Sequence, residues 1–272
     1  MQDVLGYDGK RVVVTGAASG MGEATAQALV DVGAVVTAID INAPKVAVDQ
    51  ALQVDLRDKA AIDGAVAAVD GPVAAVFNVA GLPGPPFSEL DVMIVNFVGA
   101  RHLIESLVPK MPSGSAVAYV SSAAGIGWQG NLANLMDLVS SDGFDAGKAW
   151  CETHPDVIGV SAYMTSKQVI MAWTAWRAVN LMKEHGIRLN CTAPGPTNTA
   201  MMPFFHEANT KKVVDGALGP VGRYSNAEEQ AWPLLFLNSP RSSYVVGETL
   251  YTDGGFFGAL QTNQVDFSFL TP

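Results

Sequence analysis

The sequence predicts an α/β fold: one doubly wound parallel sheet with helices on both faces. Strand-length β-branched runs alternate with segments of helical period along the whole chain. A glycine-rich turn follows the first strand, and no Pro/Ser-rich linker, low-complexity tract or repeat divides the 272 residues. With 49% hydrophobic residues, the chain can bury one core over residues 1–272.

Arg11-Val-Val-Val-Thr15 is a β-branched run ending in glycine, hence a buried strand. Gly20–Val32 carries Ala, Leu and Val at helical spacing and is closed by Gly33 as a C-cap. Ala34–Ile39 is a second strand ending at Asp40, Lys59–Val69 a helix, and Ala74–Phe77 a third strand running into Asn78-Val-Ala-Gly81. A helix around Ile94–Lys110 precedes the strand Ala116–Ser121. Residues 123–161 break into short helical pieces around Gly, Asn and Asp. Ala162–His185 is a long helix, Ile187–Thr192 a strand, Glu228–Leu237 a helix, and Glu248–Thr252 a final strand ending in Asp253-Gly-Gly255. Such sheets take ligands beyond the carboxyl ends of their strands, where the motifs below fall.

The formal net charge of −10 argues against a nucleic-acid partner, which would need a positive surface field, and against docking on an anionic membrane. The most apolar stretches, Val73–Val79 and Ala116–Val120, are strand-length, so no membrane span is expected. The first residues lack a basic and then apolar leader, and Cys151 and Cys191 read as two reduced thiols, so a cytoplasmic location is expected. Four scattered histidines offer no zinc spacing, and no metal is expected.

After the first strand comes Thr15-Gly16-Ala-Ala-Ser19-Gly20-Met21-Gly22. Its glycines let the backbone turn tightly and approach a pyrophosphate, and the following helix aims its N–H groups at the anion. The spacing G-x-x-x-G-x-G departs from the common G-x-G-x-x-G. Asp40, eighteen residues after Gly22, is placed to accept the adenosine ribose hydroxyls and to repel a 2′-phosphate. Ala17, Ala18 and Ile41 supply no compensating cation, which favours NAD over NADP in a Rossmann-type site.

Tyr163-Met-Thr-Ser-Lys167 places a phenol and an amine at i and i+4, on one helix face. A phenol with a pKa of about 10 becomes a usable base beside a cation. Ser121-Ser122 ends a strand, where a hydroxyl can orient a carbonyl oxygen, and Asn96 interrupts an otherwise apolar helix. Asn96 reads as a core asparagine bonded to backbone and as the holder of a relay water toward Lys167, two readings that can hold together.

Taken in order, these motifs resemble the short-chain dehydrogenase/reductase family from about residue 9 to residue 256. The resemblance rests on Thr15–Gly22, Asp40, Asp55-Leu56, Asn78-Val-Ala-Gly81, Asn96, Ser122, Tyr163-x-x-x-Lys167, Pro194-Gly195 with Thr197 and Thr199, and Asp253-Gly-Gly255. It implies an NAD-dependent oxidoreductase that interconverts a secondary alcohol and a ketone. Tyr163 would be the general acid/base, Lys167 its tuner and a nicotinamide-ribose ligand, Ser122 the substrate orienter and Asn96 the relay. The cofactor would lie on Gly16, Ser19, Gly20, Met21, Gly22, Asp40, Ile41, Asp55, Leu56, Asn78, Ala80 and Gly81. Tyr163 and Lys167 would also touch it. Asp55 would meet the adenine, and Pro194, Gly195, Thr197 and Thr199 would hold the carboxamide.

Three departures stand out. Val79 replaces a second Asn, the stretch between Gly81 and Asn96 is short and Pro-rich, and forty residues separate Ser122 from Tyr163. The long insertion resembles the branch of bacterial 3α-hydroxysteroid dehydrogenase/carbonyl reductases and implies an altered homo-oligomer, a homodimer or homotetramer. The insertion carries Trp128, Leu132, Leu135, Met136, Phe144 and Trp150, a stripe that reads as core more readily than as ligand wall. Met201-Met-Pro-Phe-Phe205, inside a covering segment at about 198–215, suits a bulky apolar substrate, steroid-like, terpenoid or arylalkyl. His206 reads as a loop residue within reach of such a substrate. Two other readings stay open: a catalytically silent NAD-binding regulator, and an epimerase or dehydratase with tightly held NAD.

Overall fold

The computed structural model describes residues 3–159 and 161–266; the expected domain at 1–272 and the insertion at 123–161 extend onto residues outside these. The sheet is built from β1 (Arg11–Thr15), β2 (Val35–Asp40), β3 (Gln50–Gln53), β4 (Ala75–Asn78), β5 (Ala116–Val120), β6 (Arg188–Pro194) and β7 (Thr249–Thr252). All neighbours pair in parallel, in the order β3-β2-β1-β4-β5-β6-β7. The strand order therefore reverses between β1 and β4, and the crevice outside that switch point is the natural ligand site.

Among the described residues, twelve α-helices connect and cover the strands. They are α1 (Gly20–Asp31), α2 (Lys59–Ala68), α3 (Glu89–Met93), α4 (Ala100–Leu107), α5 (Trp128–Val139), α6 (Gly143–Thr153), α7 (Pro155–Ile158), α8 (Ala162–His185), α9 (Met202–Ala208), α10 (Lys211–Asp215), α11 (Ala227–Asn238) and α12 (Phe256–Gln261). Local chemistry sets their starts. Asp58 accepts from Ala60 and Ala61 N–H at α2, Ser161 from Met164 N–H at α8, and Asn226 closes a capping box with Glu229 at α11. Gly33, at φ +84°, follows the end of α1, and Gly186, at φ +67°, caps α8.

Alternation along the strands feeds two cores. Val13, Val76, Val117 and Leu189 face the layer of α2, α4 and α8, while Val12, Val14, Phe77 and Ala118 face α1 and α11. The insertion stripe divides as core does: Leu135, Phe144 and Trp150 are buried, and Trp128, Leu132 and Met136 pack against them. Both cysteines are buried and free.

Several elements differ from expectation. The edge strand β3 and the short helices α9, α10 and α12 lie where no element was read, and the helix expected from Ile94 starts at Glu89. α3 and α4 are joined by a π-helical segment, Ile94–Gly99, so the chain is helical from Glu89 to Lys110. That helix is long and apolar enough to cross a membrane, contrary to the strand-length limit read from the sequence, but 78% of its most apolar stretch is buried inside the protein. It is a core helix.

Candidate active site

The first turn after β1 is packed backbone to backbone. Gly16 sits at φ +70°, and a Cβ there would lie 2.8 Å from the Ala80 backbone nitrogen; one on Gly22 would lie 2.0 Å from the Gly16 carbonyl oxygen. Only glycine fits either place. Thr15 Oγ1 ties this turn to the end of β4, donating to Asn78 Oδ1 (3.1 Å) and accepting from the N–H groups of Val79 (3.0 Å) and Ala80 (3.1 Å). The Ser19 side chain does not cap α1, so the positive end of that helix is left for another acceptor.

These residues border a crevice of about 430 Å³ beyond the carboxyl ends of the strands. Twelve of the expected cofactor residues line it: Gly16, Ser19, Gly20, Met21, Gly22, Asp40, Ile41, Asp55, Leu56, Ala80, Gly81 and Thr199. Asp40 Oδ2 accepts from Ala18 N–H (3.0 Å) and its Oδ1 from Asn42 N–H (2.8 Å), which fixes the carboxylate at the crevice wall. Sequence reading missed Arg57, Phe87 and Val95, which share the lining. Arg57 holds the Asp55 carboxylate with Nε and Nη2 at 2.7–3.0 Å and keeps that carboxyl below its ordinary pKa. Its place next to the Asp55-Leu56 motif was a usable signal; Phe87, alone in a Pro-rich loop, carried none.

Not every expected residue reaches the wall. Asn78 is fully buried, with Nδ2 unpartnered. Thr197 is buried, donating to Gly195 O (3.0 Å) and meeting Ser225 Oγ at 2.9 Å. A Cβ on Gly195 would lie 2.9 Å from Asp253 Cα, so Pro194–Thr197 form a packed support that leaves Thr199 on the crevice. Asp253 accepts from the N–H groups of Gly255 (3.0 Å) and Phe257 (2.8 Å), which makes the Asp-Gly-Gly run a turn-builder.

At the other end, the first turns of α8 lock onto the end of β5. Ser121 is buried and donates to Lys167 O (2.7 Å), and a Cβ on Gly125 would lie 2.8 Å from that same oxygen. The next hydroxyl, Ser122, accepts from Ala124 N–H (3.1 Å) and lies beside the half-buried Tyr163. Burial pushes the Tyr163 phenol up to about 12, with the Ser122 hydroxyl pulling the other way. Lys167 is buried, 5.5 Å from the centre of the Tyr163 ring, and donates to Val120 O (3.1 Å). Burial brings its ammonium down to about 8.

Asn96 sits in the π-helical segment. Its Oδ1 accepts from Leu82 N–H (2.6 Å), and its Nδ2 donates to Leu82 O and Ser166 Oγ, both at 3.0 Å. Its main-chain carbonyl accepts from Tyr119 OH. This is the core-asparagine arrangement, with both amide hydrogens engaged. A Cβ on Gly81 would lie 3.2 Å from Asn96 Oδ1 and 3.6 Å from Lys167 Nζ, so Gly81 is where the crevice meets Lys167.

The segment after Thr199 closes one side. Met201 and Phe204 line the crevice, and the Phe205 ring stands edge-on to Tyr163 at 5.0 Å between centroids. His206 is turned to Tyr224 OH (3.2 Å); that phenol donates to Asp215, which Lys211 also holds at 2.5 Å.

Residues 10–133 match the family model of short chain dehydrogenases, and residues 154–257 that of enoyl-(acyl carrier protein) reductase. The chain is 31% identical to the 3-alpha-hydroxysteroid dehydrogenase/carbonyl reductase of Comamonas testosteroni, over 93% of this chain and 98% of that one. It is 30% identical to the coniferyl-alcohol dehydrogenase of Pseudomonas sp. (strain HR199 / DSM 7063), over 90% and 96%. The crystal structure of a 3-alpha-hydroxysteroid dehydrogenase from Pseudomonas sp. B-0831 complexed with NADH superposes with a TM-score of 0.78 at 26% identity, covering 94% of this chain and all of that one.

Proposed function

The chain belongs to the short-chain dehydrogenase/reductase family of oxidoreductases, and on that premise we propose that it interconverts a secondary alcohol and a ketone with NAD. The observation that carries this reading is that Lys167 reaches Gly81 on the glycine-walled crevice, with the Tyr163 ring centre 5.5 Å from its amine and Ser122 beside that phenol.

The residues present fit NAD. The close approach that only Gly16 and Gly22 allow, together with the uncapped α1, suits a pyrophosphate. Asp40 would accept the ribose hydroxyls, and Arg57, already held by two carboxylates, adds no free cation for a 2′-phosphate. When bound, NAD supplies the hydride acceptor and a positive charge beside the phenol.

Burial opposes ionisation of both Tyr163 and Lys167, so a phenolate needs every nearby cation. Lys167, with its amine fixed by Val120 O, lowers the cost of the anion; Ser122 holds the alcohol or carbonyl oxygen against the Tyr163 hydroxyl, which takes or gives the proton. Asn96 holds the Leu82 backbone and Ser166, which shapes the floor under Lys167; its second Oδ1 lone pair is the one left for a relay water. Met201, Phe204 and Phe205 favour a bulky apolar substrate, and the two relatives named for a steroid and an aromatic alcohol support the same choice. The whole chain acts as one cofactor-binding domain, with α5–α7 as its insertion and 198–215 as the substrate cover.

The test is NADH formation over a panel of secondary alcohols, from small alkyl to aryl and steroid. Turnover should be much faster with NAD+ than with NADP+, and Tyr163→Phe should lower kcat by at least about 100-fold, the lower end of a general-acid/base contribution. Cofactor binding without turnover on any alcohol would move weight to the silent regulator. NAD that co-purifies and shows no net redox change would point to an epimerase or dehydratase.

A further inference from the structure

The segment that closes one side of the crevice holds two helices too short to stand alone. α9 has seven residues and α10 five, well short of the roughly 12–15 at which an isolated helix becomes stable. α9 buries only Met202, and α10 buries none of its residues. Where they stand is therefore set by the side chains that tie them down.

One phenol outside both helices meets both. Tyr224 donates its single hydrogen to Asp215 of α10, so His206 of α9 is the donor where its Nε2 meets the same phenol oxygen at 3.2 Å. Burial and the Asp215 carboxylate push the Tyr224 phenol up to about 12, so it keeps that hydrogen at neutral pH. Lys211, one turn back on α10, holds the other Asp215 oxygen at 2.5 Å. Tyr224 is itself fixed through the next residue. Ser225 N–H donates to Pro196 O (3.0 Å), Ser225 O accepts from Asn198 N–H (2.8 Å), and the Ser225 hydroxyl accepts from Gln230 Nε2 (2.9 Å).

A helix turns about 100° per residue. His206 pinned on Tyr224 thus fixes the rotation of α9, and with it the two rings before it. Phe205 then stands edge-on to Tyr163 and Phe204 lines the crevice.

We propose that Tyr224 is a specificity-determining positioning residue: its hydroxyl latches α9 and α10 to the Pro196–Asn198 support and so sets the apolar wall beside Tyr163. This rests on the alcohol–ketone reading above. A bulky alcohol draws binding energy from Phe204 and Phe205, whereas a small one is held at the Tyr163–Ser122 end alone.

The test compares Tyr224→Phe, which keeps the ring and removes both hydrogen bonds, with wild type at saturating NAD+. KM for the bulkiest secondary alcohol that wild type oxidises should rise about 5- to 10-fold, the size of a lost hydrogen bond. kcat, and KM for the smallest alcohol oxidised, should not change. Amide hydrogen exchange over residues 202–215 should quicken while β6 stays protected. Asp215→Ala should repeat both effects, with the double variant no worse than either. Wild-type exchange over 202–215 in Tyr224→Phe would overturn the latch. Faster exchange with an unchanged KM for the bulky alcohol would overturn the specificity role, and so would an equal rise in KM for both alcohols, which marks a general loss of structure. If wild type oxidises no alcohol, the alcohol–ketone reading falls and the specificity role with it, while exchange still decides the latch.

Discussion

Lys167 is the residue whose environment and proposed task pull hardest against each other. Its folded pKa of about 8 lies below the roughly 10.4 of an unfolded lysine. Between those values the unfolded chain binds more protons than the folded one, so stability rises with pH across that window as the cost of a buried ammonium disappears. At about 1.4 kcal/mol per pH unit, the gain is at most about 3 kcal/mol. Urea melts of wild type and Lys167→Met between about pH 7.5 and about pH 10 isolate the effect, and wild type should gain on the variant as pH rises. A constant difference would refute the burial account. At this scale the sequence was most legible where chemistry demands one residue type. Gly16 and Gly22 have no alternative under their backbone contacts, and Tyr163 and Lys167 declare themselves by spacing. Arg57 stood next to the Asp55-Leu56 motif, but Phe87 was not legible, because the crevice it lines exists only after β3, α3 and β4 have come together.

Among the elements, the insertion α5–α7 depends on one side chain. Arg101 of α4 is 3% exposed, with its guanidinium 5.1 Å from the centre of the Phe97 ring. Nη1 donates to Leu138 O (3.0 Å) and Ser141 Oγ (3.1 Å), and Nη2 to the same hydroxyl (3.1 Å) and to Gly143 O (2.7 Å). These acceptors form the turn from α5 to α6, whose orphan carbonyls the arginine satisfies. Arg101→Met should leave them unpaired and cost about 3 kcal/mol. Limited proteolysis should then cut near 140–143 while the core resists; unchanged resistance there would deny the arginine this part. The insertion was legible as helical pieces but not as docked ones, because its partner lies in another element. α8 was read to the residue, since Ser161 caps one end and Gly186 the other. β3 was missed because its four residues alternate between half-buried and exposed at a sheet edge, and Gln50 and Gln53 give no apolar run. The start of the helix at Glu89 was missed although Ser88 accepts from Asp91 N–H there, since Pro83, Pro85 and Pro86 just upstream mask the cap.

For the whole molecule, charge and fold make opposing demands on the cofactor. NAD+ carries a net charge near −1, and the chain carries −10, so the long-range field repels what the crevice is proposed to bind. Affinity must then come from short-range groups that salt screens little: the first-turn N–H groups of α1, the ribose contacts proposed for Asp40 and the walls of the crevice. Repulsion between exposed charges acts over about 30 Å at 0.01 M salt and about 8 Å at 0.15 M. Raising salt across that range should therefore leave NAD binding unchanged or tighten it, the reverse of a site assembled from surface cations. Ligand-linked thermal stability gives the readout, because NAD at about 100 times its Kd adds about 2.7 kcal/mol to the folded state. For a chain of this size that is a Tm rise of roughly 5–10 °C, and it should persist or grow with added salt, with NADP+ giving a much smaller rise because Asp40, on the proposed binding mode, would face its 2′-phosphate. A shift that collapses at 0.15 M salt would place the binding energy in exposed cations, and the strand-order reversal between β1 and β4 would no longer account for where the cofactor sits.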